Sequence, residues 1–347
     1  MPLRIAVIGA GVIGRTHIRL VQRSPACALA AIVDPVESAG ELARQLGVPH
    51  YRDIAALLAD QRPDGAIVAS PNHLHVDQGL ALIDVGIPCL IEKPIAHDVA
   101  AGERLCGAAE QTGVPVLIGH HRLHSPIIAE ATQAIASGAL GRIVAITGSA
   151  LFYKPAAYFA AGPWRSQPGG GPILINMIHE IASMRALTGE IAAVQAFTSN
   201  KIRGHAVEDT ASFSLQFASG ALGSFVLSDT AASSLSWEQT SGEDPTFAHD
   251  PTSDNCVIVG TRGSLFIPSL RIRSFAAGAE PSWHTALEQR LIARDRADPM
   301  ELQLAHFCKV VDGGATPLVS PRDGLANLRV VEAIVEAARS GHTVRLM

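Results

Sequence analysis

The chain has 347 residues, enough for two domains, and 48% of them are hydrophobic against 17% charged, which excludes a disordered protein. Its net charge of −5 contains no long run of one sign, so we expect neither nucleic acid nor a membrane as a partner. Five scattered cysteines without a CxxC pair predict neither disulfides nor a metal site, and we expect no metal. The sequence shows no membrane-spanning run and no signal peptide, so we expect a cytoplasmic protein.

Short apolar runs alternate with helical patterns as far as Gly119. The predicted strands are Ile5–Ile8, Leu29–Val33, Gly65–Ala69, Pro88–Ile91 and Val116–Ile118. The predicted helices are Val12–Arg23, Val36–Leu46, Ile54–Ala59, Leu74–Val85 and Val99–Thr112. Nearly all-apolar strands are typical of a parallel sheet buried on both faces. The alternation therefore predicts an α/β, doubly wound Rossmann domain over residues 1–121.

The pattern changes after Gly119 and predicts an α+β domain over residues 122–347. A helix at Pro126–Ser137 and a strand at Arg142–Leu151 precede a loop at Tyr153–Pro172 and a helix to Leu187. The later strands and final helices are Ala193–Thr198, Ala211–Phe217, Leu222–Leu227, Cys256–Val259, Ser264–Ile267, Met300–Val311 and Leu325–Arg339. Turn residues join the strands, which favours a large, open, mostly antiparallel sheet with helices on one face. We interpret the polar segment Ser234–Asp254 as a long loop or partner-covering arm.

A GxGxxG motif lies between the first predicted strand and helix. Gly9 permits the tight turn, Gly11 lets a pyrophosphate approach the backbone, and Gly14 lets the helix pack closely on the strand. Asp34 follows the next strand, twenty residues after Gly14, where its carboxylate can accept hydrogen bonds from a ribose and repel a 2′-phosphate. The sequence therefore predicts NAD, with NADP disfavoured. The predicted cofactor-binding residues here are Gly9, Gly11, Val12, Ile13, Gly14 and Asp34.

Two more predicted strands end in polar motifs, where ligands of doubly wound sheets bind. Glu92-Lys93-Pro94 follows one strand, and Lys93 is a candidate for proton transfer because lysine can change its pKa when partly buried. The alternative is a surface lysine paired with Glu92. The chain has four lysines: Lys93, Lys154, Lys201 and Lys309. The predicted cofactor-binding residues at these strand ends are Ser70, Pro71, Asn72, His75, Glu92 and Lys93, and Asn72 could instead cap the next helix.

The second domain contributes a glycine-rich loop and an apolar helix with two polar residues. Asn176 and His179 are three residues apart, so an α-helix would place them on one face. Buried polar groups need partners or a pocket. His179 is therefore a candidate acid or base, and the alternative is a satisfied core histidine. The residues predicted to line the substrate pocket are Lys93, Arg122, Tyr153, Lys154, Trp164, Arg165, Asn176 and His179.

Motifs that resemble one family run over nearly the whole chain. They are AVIGAGVIGRTH (Ala6–His17), SPNHLH (Ser70–His75), EKPIA (Glu92–Ala96), Gly119–Arg122 with Pro126, PWRSQPGGG (Pro163–Gly171), IHE (Ile178–Glu180), VEDT (Val207–Thr210) and VGTRGSL (Val259–Leu265). Together they resemble the Gfo/Idh/MocA family of glucose–fructose oxidoreductase, inositol dehydrogenase and rhizopine-catabolism proteins. The resemblance implies oxidation or reduction of a carbinol of a sugar, inositol or other cyclic polyol. It also implies Lys93 beside the nicotinamide, His179 near the reacting hydroxyl, Arg122 among the cofactor-binding residues, and a homodimer or homotetramer.

One position departs from the family pattern. Many members carry an aspartate four residues before the family histidine, and here that residue is Ile175. Either His179 or Lys93 takes the hydroxyl proton in the predicted NAD-dependent oxidation. Because of this departure, we expect Lys93 to contribute more to the proton transfer than it does in members that carry the aspartate. Arg165 and Lys154 would suit a carboxylated or heavily hydroxylated substrate. Two alternatives on the same fold are an NAD-dependent glycosidase and a non-catalytic NAD-sensing regulator.

Overall fold

The computed structural model describes residues 1–346 and divides into two compact units. Unit 1 contains residues 1–124 and 299–328, and unit 2 contains residues 125–298 and the chain from 329 onward. The domain boundary predicted after residue 121 does not account for residues 299–328, which belong to the first unit. Within residues 1–346, no helix combines the length and the apolar character that crossing a membrane requires.

Unit 1 is built on a six-stranded parallel sheet. Its strands and helices alternate as β1 (Leu3–Ile8), α1 (Val12–Arg23), β2 (Cys27–Val33), α2 (Glu37–Leu46), β3 (His50–Tyr51), α3 (Ile54–Asp60), β4 (Gly65–Val68), α4 (His75–Asp84), β5 (Cys89–Glu92), α5 (Val99–Thr112) and β6 (Val116–Gly119). The strand order is β3-β2-β1-β4-β5-β6, and β4, β5 and β6 are buried along their whole length. The predicted Rossmann fold is confirmed.

Unit 2 contains a nine-stranded mixed sheet. Its strands are β7 (Ile143–Leu151), β8 (Ile191–Ser199), β9 (Thr210–Phe217), β10 (Leu222–Ser228), β11 (Cys256–Gly260), β12 (Gly263–Ile267), β13 (Arg271–Ser274), β14 (Glu288–Leu291) and β15 (Val344–Arg345). They follow the order β14-β13-β12-β11-β7-β10-β9-β8-β15. The pair β10–β7 is parallel, and the other pairs are antiparallel. The predicted open, mostly antiparallel sheet is confirmed.

Six further helices complete the chain. They are α6 (Pro126–Ala136), α7 (Ala156–Ala160), α8 (Ile178–Thr188), α9 (Trp237–Ser241), α10 (Pro299–Val311) and α11 (Pro321–Ser340). Helix α10 belongs to unit 1, while α11 begins in unit 1 and continues into unit 2.

The segment Ser234–Asp254 is more ordered than the sequence predicts, because it contains α9. Trp237 is buried and donates a hydrogen bond from its indole to Glu243 at 3.1 Å. The hydroxyl of Thr240, also buried, donates to the backbone carbonyl of Ser236. The expectation of a long loop is therefore wrong for this part of the segment, since one buried tryptophan and internal hydrogen bonds fix it to its own unit.

Candidate active site

The glycine turn after β1 has the geometry that a dinucleotide requires. Gly9 has φ of +91°, which L side chains rarely adopt. A Cβ on Gly14 would lie 1.9 Å from the carbonyl oxygen of Gly9, so only glycine allows α1 to start this close to the turn. No described heavy atom lies within 4 Å of the Cβ position of Gly11, which leaves open space beside the backbone. The turn therefore fits a pyrophosphate at the N-terminus of α1.

Asp34 follows β2 and is held against this turn by backbone amides. One carboxylate oxygen accepts a hydrogen bond from the N–H of Ala10 at 2.7 Å, and the other accepts from the N–H of Val36 at 2.9 Å. Each oxygen keeps a second lone pair for a ligand hydroxyl. Val12 is largely exposed and Ile13 is partly so, next to the turn. The residues present therefore fit the adenosine half of NAD.

A second group of predicted residues follows β4. The hydroxyl of Ser70 donates to Gln78 at 2.6 Å. The His75 ring is buried, with Nδ1 2.8 Å from the carbonyl of Pro94 and Nε2 2.8 Å from the carbonyl of Ser70. Burial lowers the pKa of His75, against the opposing effect of the two carbonyl contacts, and the ring links the segments that follow β4 and β5. Cofactor binding by His75 stays a prediction, and its ring nitrogens already face protein carbonyls.

Pro71 and Asn72 lie between these two residues. Pro71 immediately precedes the 3-10 turn at 72–74, and Asn72 is its first residue. Helix α4 starts after Leu74, and no described side chain caps it. The alternative role of Asn72 as a cap for this helix is therefore wrong, because the 3-10 turn separates it from the helix start.

The Glu92-Lys93 pair ends β5. Glu92 is buried, and its carboxylate lies 2.8 Å from Nε2 of His17 on α1. Its other oxygen accepts the backbone N–H of Lys93 at 3.2 Å. Lys93 itself is half-buried. In unit 1, the buried Arg122 lies in the 3-10 turn at 121–124 that follows β6.

Three neighbouring strands of unit 1 end at one edge of the sheet. Parallel strands place their carboxyl ends together, and β1, β4 and β5 are adjacent in the strand order. The glycine turn, the segment from Ser70 and the Glu92-Lys93 pair follow these three strands directly. The structure thus brings the predicted cofactor-binding residues of this unit to one edge, where dinucleotides bind in doubly wound sheets.

In unit 2, Lys154 lies at the centre of a polar cluster. Its ammonium donates to the side-chain oxygen of Asn176 at 2.6 Å and lies 3.9 Å from the carboxylate of Asp229. Arg203 also donates to Asp229, at 2.7 Å, and to the backbone carbonyl of Lys154 at 2.8 Å. Lys154 and Asp229 are buried. One buried carboxylate therefore pairs with two cations, and the cluster fixes the head of Lys154 next to Asn176.

Aromatic rings continue this cluster towards the loop residues. The Tyr158 ring lies 4.7 Å from the Lys154 ammonium and 4.0 Å from the Arg165 guanidinium, so one ring contacts both cations. Trp164 and Tyr153 are exposed. The predicted pocket residues Tyr153, Lys154, Trp164, Arg165 and Asn176 thus belong to one unit. Three of them are linked, because Tyr158 contacts Lys154 and Arg165 and Lys154 binds Asn176.

The helix that carries His179 begins irregularly. Residues Ile173–Met177 form a π-helical turn, and α8 continues from Ile178. The expected regular α-helix from Pro172 is therefore wrong in its first turn. A π turn rotates successive side chains less than an α turn does, so the spacing of three residues does not by itself place Asn176 and His179 on one face. His179 is buried, and Ile175 is half-buried.

Some residues of these clusters were not among the predicted site residues. Glu208 accepts the backbone N–H of Ile173 at 2.8 Å, at the start of the π turn, and burial raises the pKa of this carboxyl. A Cβ on Gly171 would lie 2.6 Å from its carboxylate, so the glycine-rich loop packs directly on this acid. His17, Glu208 and Asp229 are distant in sequence from the residues they contact. The motifs GRTH and VEDT were the available signal for His17 and Glu208, and Asp229 lies in neither.

The described residues contain no group of three or more histidine, cysteine, aspartate or glutamate side chains that could hold a metal ion. The glycine turn and the six-stranded parallel sheet define a dinucleotide-binding fold. Family models match both parts of the chain: residues 3–120 match the oxidoreductase family NAD-binding Rossmann fold, and residues 132–346 match its C-terminal alpha/beta domain. The chain therefore belongs to the Gfo/Idh/MocA family, and it is an NAD-binding oxidoreductase that acts on CH–OH groups.

Relatives of known activity extend over the whole chain. The scyllo-inositol 2-dehydrogenase (NAD(+)) of Bacillus subtilis is 27% identical over 99% of this chain and 96% of that protein. The D-apiose dehydrogenase of Paraburkholderia graminis is 25% identical over 98% of this chain and 89% of that protein. An Agrobacterium radiobacter oxidoreductase solved with NAD+, L-tartaric acid and magnesium has a TM-score of 0.82 at 20% identity, covering 99% and 98% of the two chains. The structural likeness establishes the fold.

Proposed function

We propose that this protein oxidises a secondary hydroxyl of a sugar, inositol or other cyclic polyol with NAD. One observation carries the proposal: the glycine turn, the Ser70 segment and Lys93 follow three adjacent strands at one edge of the unit 1 sheet. A half-buried lysine at the edge that binds the dinucleotide is placed for proton transfer. The activities of the named relatives support a polyhydroxylated substrate.

Different residues of this chain bind the cofactor and transfer the proton. NAD, when bound, supplies the hydride acceptor. The turn Gly9–Gly14 binds the pyrophosphate through backbone N–H groups, and Asp34 binds the adenosine ribose. Lys93 takes the hydroxyl proton of the substrate, and His179 orients that hydroxyl and shares the proton transfer. Proton acceptance by Lys93 requires that its amine be neutral at working pH, which partial burial favours.

The unit 2 cluster is proposed to bind the substrate. Lys154 is held by Asn176 and Asp229, and Arg165 packs on Tyr158. Fixed ammonium and guanidinium groups donate several hydrogen bonds in defined directions. They suit a substrate with many hydroxyls or a carboxylate, in line with the earlier expectation for Lys154 and Arg165. Exposed Trp164 and Tyr153 can cover the apolar face of a sugar ring.

A substrate screen tests the proposal. The purified protein is incubated with NAD and a panel of inositols, aldoses, anhydrosugars and sugar acids, and NADH is followed by absorbance. Turnover of at least one cyclic polyol or sugar is expected. Release of product from aryl glycosides without net NADH would instead favour a glycosidase, and NAD binding without turnover of any compound would favour a sensor. Either outcome would overturn the proposal.

We also propose a homodimer or homotetramer in a reducing, cytoplasmic compartment. Trp283 is 94% exposed, and Leu287 and Leu291 beside it are exposed too. Strand β14, which contains Leu291, is exposed at all four positions on the edge of the unit 2 sheet. The other three residues of β14 are polar, but large exposed apolar side chains such as Trp283, Leu287 and Leu291 are typical of a surface that a second subunit covers. The five cysteines are free thiols, which supports a reducing compartment.

A further inference from the structure

A buried histidine contacts the acid that precedes Lys93. His17 lies on α1, three residues after Gly14, and is 1% exposed. Its Nε2 is 2.8 Å from Oε1 of Glu92, which is 5% exposed at the end of β5. The two residues are far apart in sequence and join the dinucleotide-binding helix to the strand that ends in Lys93. A polar pair buried this deeply is costly unless its hydrogen bonds are made.

The carboxylate of Glu92 is fixed on its other sides as well. Oε2 accepts the backbone N–H of Lys93 at 3.2 Å. Gly119 is its partner on β6, and a Cβ there would lie 3.1 Å from both Cα and the carboxylate carbon of Glu92. The Glu92 side chain is therefore tightly packed, and it is hydrogen-bonded to His17 on one side and to the Lys93 backbone on the other.

The charges around Glu92 explain how a buried acid stays ionised. Burial by itself raises the pKa of Glu92. The hydrogen bond from His17, together with the electrostatic influence of the neighbouring basic groups, outweighs burial and holds this pKa below its usual value. Without the His17 donor, burial acts against fewer opposing groups, and the carboxyl takes up a proton at a higher pH.

We propose that His17 is a positioning residue that keeps Glu92 as an oriented carboxylate next to Lys93. The proposal rests on the role of Lys93 in proton transfer proposed above. A fixed negative charge beside Lys93 raises the affinity of its amine for a proton, so it opposes the effect of partial burial and stabilises the ammonium that forms once Lys93 has taken the hydroxyl proton. His17 thus acts on the reaction through Glu92, without contact with the substrate.

The lysine content of the chain allows a test that needs no substrate. Competitive acetylation with isotopically labelled acetic anhydride, followed by peptide mass spectrometry across a pH series, gives the labelling midpoint of each amine. Besides the N-terminal amine, Lys93, Lys154, Lys201 and Lys309 are the amines that can report. Lys201 and Lys309 are exposed and serve as internal standards, while half-buried Lys93 stays within reach of the small reagent.

Four variants separate positioning from a merely structural role. His17→Leu removes the donor, and His17→Gln keeps an N–H donor near the position of Nε2. Glu92→Gln removes the charge itself. Val21→Ala makes a cavity at a fully buried position one helical turn from His17, without removing the donor, and serves as the control for lost stability and packing.

The expected result is a downward shift of the Lys93 midpoint by about one pH unit in Glu92→Gln, and a smaller shift in the same direction in His17→Leu, where the carboxylate loses its fixed orientation. His17→Gln and Val21→Ala should leave that midpoint in place, and His17→Leu should add nothing further when Glu92 is already Gln. An unchanged midpoint in His17→Leu, or an equal shift in Val21→Ala, would overturn the proposal. Turnover that survives in Lys93→Met would overturn the proposed role of Lys93 instead, so the two failures are distinguishable.

Discussion

The carboxylate of Asp34 accepts a hydrogen bond from the backbone N–H of Ala10 at 2.7 Å, which joins the end of β2 to the glycine turn after β1. This contact orients a negative charge where we propose that the adenosine ribose binds. A 2′-phosphate there would face a carboxylate at close range, and like charges repel most strongly where water is displaced.

The first prediction is that NAD binds more tightly than NADP by about tenfold or more, equal to about 1.4 kcal/mol. Asp34→Asn keeps a side-chain oxygen for the Ala10 amide and removes the charge. It should therefore reduce the difference in affinity between NAD and NADP, mainly by improving NADP binding. Calorimetric titration of both cofactors measures this. Equal affinities in the unmodified protein would contradict the assignment of Asp34.

Two glycines of the turn should respond differently to alanine. Gly14→Ala places a Cβ in the Gly9 carbonyl, so we expect a loss of stability of at least about 2 kcal/mol in urea unfolding. Gly11→Ala meets open space and should fold normally, but its methyl group occupies the approach to the backbone and should weaken NAD binding about tenfold. Normal NAD affinity in Gly11→Ala would argue against a pyrophosphate at this turn.

Acid should destabilise unit 1 through His124. Burial, followed by the charges of His306 and His121, lowers the pKa of His124 to about 4, against about 6.5 in an unfolded chain. Between these values the unfolded state binds more protons, so the free energy of unfolding falls as pH drops from about 6.5 to about 4. At pH 7 almost none of this stability has been lost, and below about pH 4 all of it has been lost.

The variant His124→Gln isolates this contribution. Between pH 7 and pH 5 it should lose about 1 kcal/mol less stability than the unmodified protein, allowing for the partial exposure of the ring. Urea unfolding at the two pH values gives the comparison. Parallel losses in the two proteins would show that His124 is protonated as easily in the folded chain as in the unfolded one.

The exposed edge of unit 2 should be an assembly surface. Trp283→Ser and Leu291→Ser together remove the two most exposed large apolar side chains of that edge, so light scattering should show a larger monomer fraction at micromolar concentration. Leu318→Ser, an exposed leucine in unit 1, is the matched control. A monomer in the unmodified protein would refute the proposed homo-oligomer.

Strands with a buried apolar pattern were predictable from the sequence, and the remaining strands were not. The sheet of unit 1 follows from short runs such as Cys89–Glu92, whose residues are all buried. Three strands of unit 2 were missed: β13, β14 and β15. Glu288–Leu291 is exposed at each position, and Val344–Arg345 has two residues, so neither carries a periodic apolar signal. Strand β3 was also missed, because its two residues are too few to show a periodic apolar pattern.

For the site, motif position was informative and long-range contacts were not. The predicted strand ends indicated where Asp34 and Lys93 lie, because the carboxyl ends of parallel strands meet at one edge of the sheet. The contact of Lys154 with Asn176 depends on the loop between them and on the π turn at Ile173–Met177. Apolar spacing does not distinguish a π turn from an α turn, so the faces of that helix could not be assigned from the sequence.

The central claim is that Lys93 transfers the proton in an NAD-dependent oxidation, with His179 assisting. Once the screen supplies a substrate, kcat/KM for NADH formation should fall about a hundredfold or more in Lys93→Ala and in His179→Ala. Lys93→Ala should cost at least as much as His179→Ala, because Ile175 offers His179 no carboxylate. NAD affinity should change little in His179→Ala. Near-normal kcat/KM in Lys93→Ala would contradict the account.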